Sequence, residues 1–309
     1  MISTHLSPRP ALAVLALVAC ACSGAGALTP ELAPDDDPHA EGDQVARAHA
    51  FQTRYDAELE ASTHSFLTAV DGFYLDAAGT LELGLSADGE TWRPDAQPSR
   101  LRFRVEGEAL VATIDAQPAR TLDQYTLIPV DEGERWTLQL SPQGELAWRI
   151  LIHDADAAAR EHFEGIAWFP VDPELVVQAR YEPDPTRPPT VLATSRGETK
   201  TLYRAGSLRF EVGGRSAVLD AFGYSPDAPD TEPLLVPFRD RSTGHESYGG
   251  GRYLEIDAPD SDTGGIPLDF NRATNPLCAY SALYNCPVPP KQNRIDSSIL
   301  AGARAPTDH

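Results

Sequence analysis

Two stretches of this chain concentrate side chains capable of chemistry. One is Gly244-His245-Glu246-Ser247-Tyr248-Gly249-Gly250-Gly251-Arg252; the other runs from Asp269 to Arg294 and holds Asn271, Arg272, Asn275, Cys278, Tyr280, Cys286 and Asn293. Glu246 and Asp269 are the candidate catalytic residues. Two carboxylates in one cleft repel, one takes up a proton, and the result is an acid and base pair suited to hydrolysis of an ester or glycoside. Glu246 has a plainer reading as an ion-pair partner of Arg252. His245, Tyr248, Arg252, Asn271, Arg272, Asn275, Tyr280, Asn293 and Arg294 are candidate ligand-binding residues, with the three glycines letting a ligand approach bare backbone. The asparagines also have a second reading. An irregular loop has no ladder, and each buried backbone group left unpaired costs about 1 to 3 kcal/mol, so asparagines can serve simply to pair them.

Cys278 and Cys286 are expected to form a disulfide, because the rest of the sequence points to export into an oxidising compartment and these are the only cysteines beyond residue 22. Such a bond closes a small loop and adds roughly 2 to 3 kcal/mol on the chain-entropy account. Pro276, Pro287, Pro289 and Pro290 preset φ nearby, so the stretch reads as a stiff platform. No Cys or His pair at ligand spacing accompanies the two cysteines, so no metal is expected. Gly-x-Ser-x-Gly, His-Glu-x-x-His, Gly-x-x-x-x-Gly-Lys and a Rossmann glycine pattern are all missing, and no cofactor is expected. The favoured function is therefore a module that binds a small molecule, glycan or peptide, with a hydrolase using Glu246 and Asp269 and a structural envelope protein as alternatives.

The amino terminus sets the address. Ala11 to Ala19 is an apolar run of nine residues, too short for a bilayer, which needs roughly 20. It reads as the core of an export signal. Leu17-Val18-Ala19-Cys20 resembles the lipobox of bacterial lipoproteins, which implies lipidation of Cys20 and a membrane partner through a lipid anchor. A simple secretory signal cut near Ala27 is the alternative. Ala21 in place of Asp points, by the same resemblance, to the outer membrane. The chain carries 46 acidic and 25 basic residues, a net charge of -21, so nucleic acid is not expected as a partner.

The elements that must hold these residues follow from periodicity. Residues 1–19 are the expected signal peptide and 20–44 an acidic spacer without apolar period. Over 45–64, Phe51, Tyr55 and Leu59 recur every fourth position and predict an amphipathic docking helix. Beyond it the period becomes two, as in Leu101-Arg102-Phe103-Arg104-Val105, Trp136-Thr137-Leu138-Gln139-Leu140 and Leu208-Arg209-Phe210-Glu211-Val212. Further strands are expected at Leu110 to Ile114, Tyr125 to Val130, Leu146 to Ile152, Leu175 to Tyr181, Ala217 to Phe222, Leu234 to Phe238 and Tyr253 to Ile256, with hairpin turns at Gly107 and at Gly213-Gly214. A short helix at Asp156 to His162 separates a β-rich subdomain, 65–155, from a second β domain, 156–303, followed by a disordered tail, 304–309. The fold class is mainly β, an antiparallel sandwich or partly open barrel.

From residue 163 the motifs fall in a recognisable order: Phe163-Glu164-Gly165-Ile166-Ala167-Trp168-Phe169-Pro170, Gly244 to Leu254, Leu268-Asp269-Phe270-Asn271-Arg272-Ala273, Asn275-Pro276, Cys278-Ala279-Tyr280, Cys286-Pro287 and Asn293-Arg294. This succession resembles the bacterial and archaeal family DUF1684, a domain of unknown function, over about residues 163–303. The resemblance implies a β domain with a site among these motifs and implies no reaction. Thr274 stands where the family has an aromatic, Leu277 where it has a second proline, and Ala303 where its closing Ala-Gly-Glu has a glutamate.

Overall fold

The computed structural model describes residues 43–306 apart from 124–125, 131–132, 134, 144–145, 227–232 and 258–264. The expected signal peptide, Cys20 and all of the spacer but its last two residues lie outside the described residues. So does the end of the expected tail. Arg304 and Ala305, assigned to that tail, are instead tied down, their amides donating to Ala167 O at 2.7 Å and Glu246 O at 3.1 Å. Among the described residues no helix is long and apolar enough to cross a membrane.

The first element is α1 (Gln44–Ala61), capped by Asp43, whose carboxylate accepts from the amides of Val45 and Ala46 at 3.0 and 3.3 Å. Its stripe of Phe51, Tyr55 and Leu59 is buried. Nine strands follow: β1 (Ala69–Leu75), β2 (Thr80–Leu85), β3 (Trp92–Arg93), β4 (Ser99–Glu106), β5 (Ala109–Ile114), β6 (Arg120–Leu122), β7 (Leu127–Pro129), β8 (Trp136–Gln143) and β9 (Leu146–Asp154). They form two antiparallel sheets, ordered β1-β9-β8-β7 and β3-β2-β4-β5-β6. Alternate residues of both sheets, among them Leu101, Phe103, Val105, Leu138, Leu140 and Trp148, meet in one core. That is a sandwich, and each such side chain contributes about 1.5 to 3 kcal/mol by leaving water. The turn joining β4 to β5 places Gly107 at φ 63°.

After the single turn of α2 (Ala158–Glu161) come β10 (Val176–Pro183), β11 (Pro189–Ala193), β12 (Thr199–Val212), β13 (Arg215–Gly223), β14 (Leu234–Phe238), β15 (Arg252–Ile256) and β16 (Ile266–Asp269). These seven make one antiparallel sheet, ordered β15-β14-β13-β12-β10-β16, with β11 also on β12. Gly213 and Gly214, at φ 58° and 70°, make the tight β12–β13 turn whose twist suits a hairpin. The two ends of the sheet approach each other: Tyr253 of β15 exchanges both backbone hydrogen bonds, each 2.9 Å, with Thr274, five residues past β16. The sheet is thus a nearly closed barrel around Phe210, Phe238, Phe270 and their aliphatic neighbours.

Although α1 precedes the sandwich, it packs on the barrel half. Gln52 Nε2 donates to Asn271 O at 3.1 Å, and Asp56 accepts from Ile166 N at 3.2 Å and from Trp168 Nε1 at 3.3 Å. Phe51 and Tyr55 meet Trp168 edge-on at 6.3 and 5.8 Å. Trp168 is half-buried under the helix and makes an isolated bridge to Ala303.

His153 on β9 is fully buried, with Nδ1 3.0 Å from Thr68 Oγ1 and Nε2 3.4 Å from Gln139 Oε1. Burial, reinforced by His64 and Arg149, depresses its pKa to about 3. The unfolded chain binds a proton below pH 6.5 that the folded chain refuses, so stability present above pH 6.5 is lost as the pH falls towards 3, at up to about 1.4 kcal/mol per pH unit. Urea unfolding between pH 7 and 4 should show this slope, and His153→Gln should flatten it; an unchanged slope in that variant contradicts the assignment.

Candidate functional site

The buried centre of the expected site is an ion pair. Arg252 and Asp240 have side chains 1% and 0% exposed, with Nη2 and Oδ2 3.3 Å apart. Arg252 also donates to the carbonyls of Ile299 at 2.7 Å, Ala303 at 3.3 Å and Ala301, and its guanidinium lies 5.3 Å from the Phe238 ring and 5.9 Å from that of Phe169. Asp240 is satisfied in turn by Ser242 Oγ at 2.8 Å, Thr243 Oγ1 at 2.8 Å and Ile299 N at 2.6 Å. Burial lowers the arginine's pKa to about 10 and Asp240 opposes that, so Arg252 is cationic at neutral pH. Its acceptors are inside the fold, and it clamps the carboxy-terminal segment to the barrel.

The asparagines do the same work. Asn293 accepts from Asp220 N at 2.8 Å and donates to Asp220 O at 2.8 Å and Pro237 O at 2.7 Å. It bridges β13 and β14 where they diverge, since those strands pair only at Phe222 and Leu235. Asn271 grips the backbone of Asp172 in both directions, at 2.8 and 2.9 Å, and reaches Asp269 Oδ1 at 2.9 Å. Asn275 donates to Arg304 O at 2.7 Å and Tyr280 Oη at 3.0 Å. Arg272 stacks over Phe51 at 4.6 Å.

The structure does not assemble the expected carboxylate pair. Glu246 is exposed on the glycine turn beside exposed His245, while Asp269 is half-buried at the end of β16 and caps the turn that follows it, accepting from Asn271 N at 3.0 Å. Burial raises the pKa of Asp269; its hydrogen bonds with Asn271, then Arg272 and Arg47, oppose the rise. Glu246 is not among the charges acting on it. Two of the three glycines do not open to a ligand: a Cβ on Gly251, at φ 94°, would lie 2.7 Å from both Phe238 O and Pro289 Cγ, and one on Gly250 would strike the Tyr248 ring, whereas Gly249 is exposed and a Cβ there would meet only Gly244 at 3.8 Å. Gly250 and Gly251 are bare so that the turn can fold against the protein itself. Arg294 is exposed, its neighbour Ile295 pairing with Arg239.

The expected disulfide is not formed: Cys278 and Cys286 are free thiols. They are nevertheless neighbours, the Cys278 amide donating to Cys286 Sγ at 3.3 Å. Tyr248 Oη lies 4.0 Å from Cys278 Sγ.

A cavity of about 490 Å³ opens where the two halves meet, and periodicity gave no sign of it. Phe66, Leu67 and Val70 ahead of and within β1, the alanines 157–159 around α2, and Tyr280 with Ser281 line it together with the charged Glu90, Arg135, Asp154 and Asp156, so that polar surface outweighs apolar. Tyr280 stacks on Phe66, centroids 4.5 Å apart and planes 10° from parallel. Arg135 is held by Asp154 at 2.9 Å and Glu90 at 2.6 Å. A second cavity of about 460 Å³ shares Asp156 and adds Glu60, Arg160 and Glu161. Of the expected ligand-binding residues only Tyr280 lines the first cavity. Among the described residues no group of three or more His, Cys, Asp and Glu is placed to hold a metal.

Residues 161–304 match the model of the family described as protein of unknown function (DUF1684). The chain belongs to the DUF1684 family. Among solved structures, the chain is similar to the uncharacterized protein from gene locus rrnAC0354 of Haloarcula marismortui, determined by solution NMR: 39% identity, 49% of this chain and 82% of that chain covered, TM-score 0.41. No curated protein matches the chain. Within this DUF1684 member Ala303 is fully buried, with its carbonyl accepting from Arg252.

Removing one partner of a buried pair leaves the other charge unmatched, at about 3 to 5 kcal/mol. Arg252→Ala should lower the unfolding free energy in urea by that amount; a loss under about 1 kcal/mol would show that the clamp is not structural.

Proposed function

We propose that this protein is an exported lipoprotein, anchored through Cys20 to the cell envelope, whose folded part binds a small molecule, glycan or peptide in the cavity between sandwich and barrel. What supports binding is that cavity: its volume of about 490 Å³ lies in the range of small-ligand sites, and its wall includes Val70, left 46% exposed. Charge narrows the ligand. Both arginines of the two adjoining cavities are occupied, Arg135 by carboxylates and Arg160 by the carbonyls of Glu60, Ala61 and Ala155. Glu60, Asp156 and Glu161 then leave the rim acidic. A neutral or cationic ligand with an apolar face suits it, and an anionic one does not.

A thermal-shift screen of envelope-derived compounds should return hits of that class, and Ala158→Trp, which fills the cavity from an exposed position, should weaken them at least tenfold, about 1.4 kcal/mol, without lowering Tm. Hits indifferent to that substitution would place binding elsewhere. The anchor is tested separately: labelled palmitate should enter the full chain and fail to enter Cys20→Ser, and equal labelling of both would remove the lipid from the account.

A further inference from the structure

The two thiols stand in surroundings that a mere staple does not need. Cys278 sits half-exposed on the turn Leu277–Ala279, and Cys286 is buried behind it. The Cys278 amide occupies an acceptor site on the Cys286 sulfur, which leaves the Cys286 S–H free to point at Cys278. Two further hydroxyls close on the pair from other elements. Tyr248, on the glycine turn, donates to Cys278 O at 3.4 Å with its oxygen 4.0 Å from the sulfur. Ser195, in the β11–β12 turn, is fixed by the Cys286 amide at 3.1 Å and by its own amide's bond to Cys286 O at 2.9 Å.

We propose that Cys278 and Cys286 are an exchange-active dithiol that reduces an accessible disulfide, with Cys278 attacking and Cys286 resolving. The Cys278 thiolate attacks one sulfur of R–S–S–R, a Cys278–S–S–R bond forms, and RS⁻ leaves to take a proton from water. Cys286 loses its proton to water and attacks Cys278 Sγ. The protein disulfide forms, the S–S bond between Cys278 Sγ and the sulfur of RS breaks, and the second RS⁻ departs to take a proton from water. Two protein thiols are oxidised, one substrate disulfide is reduced to two thiols, and nothing else is consumed.

The environment divides the two roles. The Cys286 thiol, Ser195 and Tyr248 hold the Cys278 pKa down to about 6 against its burial, so it is mostly thiolate at neutral pH. The neighbouring Cys278 sulfur and burial push Cys286 well up, and it stays protonated until called on. Tyr248, Tyr253, Tyr284, Arg149 and Lys200 are the other titratable groups near the pair; the three tyrosines are themselves raised and neutral at pH 7, whereas Lys200 is lowered to about 8 by burial and stays largely cationic. A low-pKa sulfur is a weaker nucleophile per thiolate, which offsets part of the gain in population but not all of it.

The test uses the full chain carrying Cys20→Ser and Cys22→Ser, reduced with dithiothreitol and desalted, with near-UV circular dichroism to confirm folding. Reacted with 5,5′-dithiobis(2-nitrobenzoate) at pH 7, it should release two equivalents of nitrothiolate and end two hydrogens lighter with no adduct. Cys286→Ser should release one equivalent and keep the adduct on Cys278, and Cys278→Ser should slow release roughly tenfold or more. Tyr248→Phe should move the pH midpoint of the reaction upward at unchanged stoichiometry. Oxidised glutathione and insulin then separate the sources: reduction of the first alone marks small-molecule disulfides, reduction of insulin marks protein ones. Stable adducts on both sulfurs, equal rates in the two serine variants, a bond that resists millimolar dithiothreitol in the folded protein, or reduction of neither glutathione nor insulin overturns the proposal.

Discussion

The described chain after β16 has almost no ladder to hold it, and the buried Arg252–Asp240 pair takes the ladder's place. Taking two charges out of water costs several kcal/mol per ion, and hydrogen bonds to both partners offset much of it, although Arg252 Nε is left without one. Here the guanidinium reaches three carbonyls between Ile299 and Ala303 besides its carboxylate, and the carboxylate collects two hydroxyls and the Ile299 amide. One ion pair therefore fixes the glycine turn, the residues after β14 and the segment Ile299–Ala303 to each other. Asn293 and Asn271 extend the same device to β13, β14 and the stretch before β10, replacing strand pairing with side-chain amides that mimic it.

That economy changes what the DUF1684 motifs mean in this chain. Arg252, Asn271, Asn275 and Asn293 turn their hydrogen-bonding groups on backbone. Function is left to surfaces that the clamp positions: the cavity at the seam and the thiol pair. The two share a segment, since Tyr280 and Ser281, between the cysteines in sequence, form one wall of the cavity. The sandwich supplies the opposite wall, and α1, although it enters first, covers the barrel's apolar flank at Trp168.

The fold was largely legible where one face of a strand meets a core and the other meets water. β4 and β5 show that alternation in both sequence and burial, and so does the end of β12. β16 escaped notice because Ile266, Pro267 and Leu268 are all buried, which erases the period, and the proline argues against a strand. β1 escaped because most of its residues are half-buried on both faces. The helix was visible because four-residue spacing of aromatics has no strand equivalent. Site geometry was harder. Nothing in a spacing tells whether an arginine beside three glycines points out or in; the serines and threonine around Asp240, which exist to satisfy a buried carboxylate, were the available signal. The second reading of the asparagines, as partners for stranded backbone, is the one their contacts support. The cavity was invisible because its walls come from β1, α2 and the Tyr280 turn, far apart in sequence.

If side chains rather than strands hold the chain after β16, its amides should be as slow to exchange as those of the barrel. Native-state hydrogen exchange reads this directly. The amides of Ile299, Ala303 and Arg304, each bonded across the clamp, should exchange only through global unfolding, with protection close to that of β12 and β13. Exchange of these amides at loop-like rates, while the barrel strands stay protected, would contradict the claim that the buried pair fastens this segment.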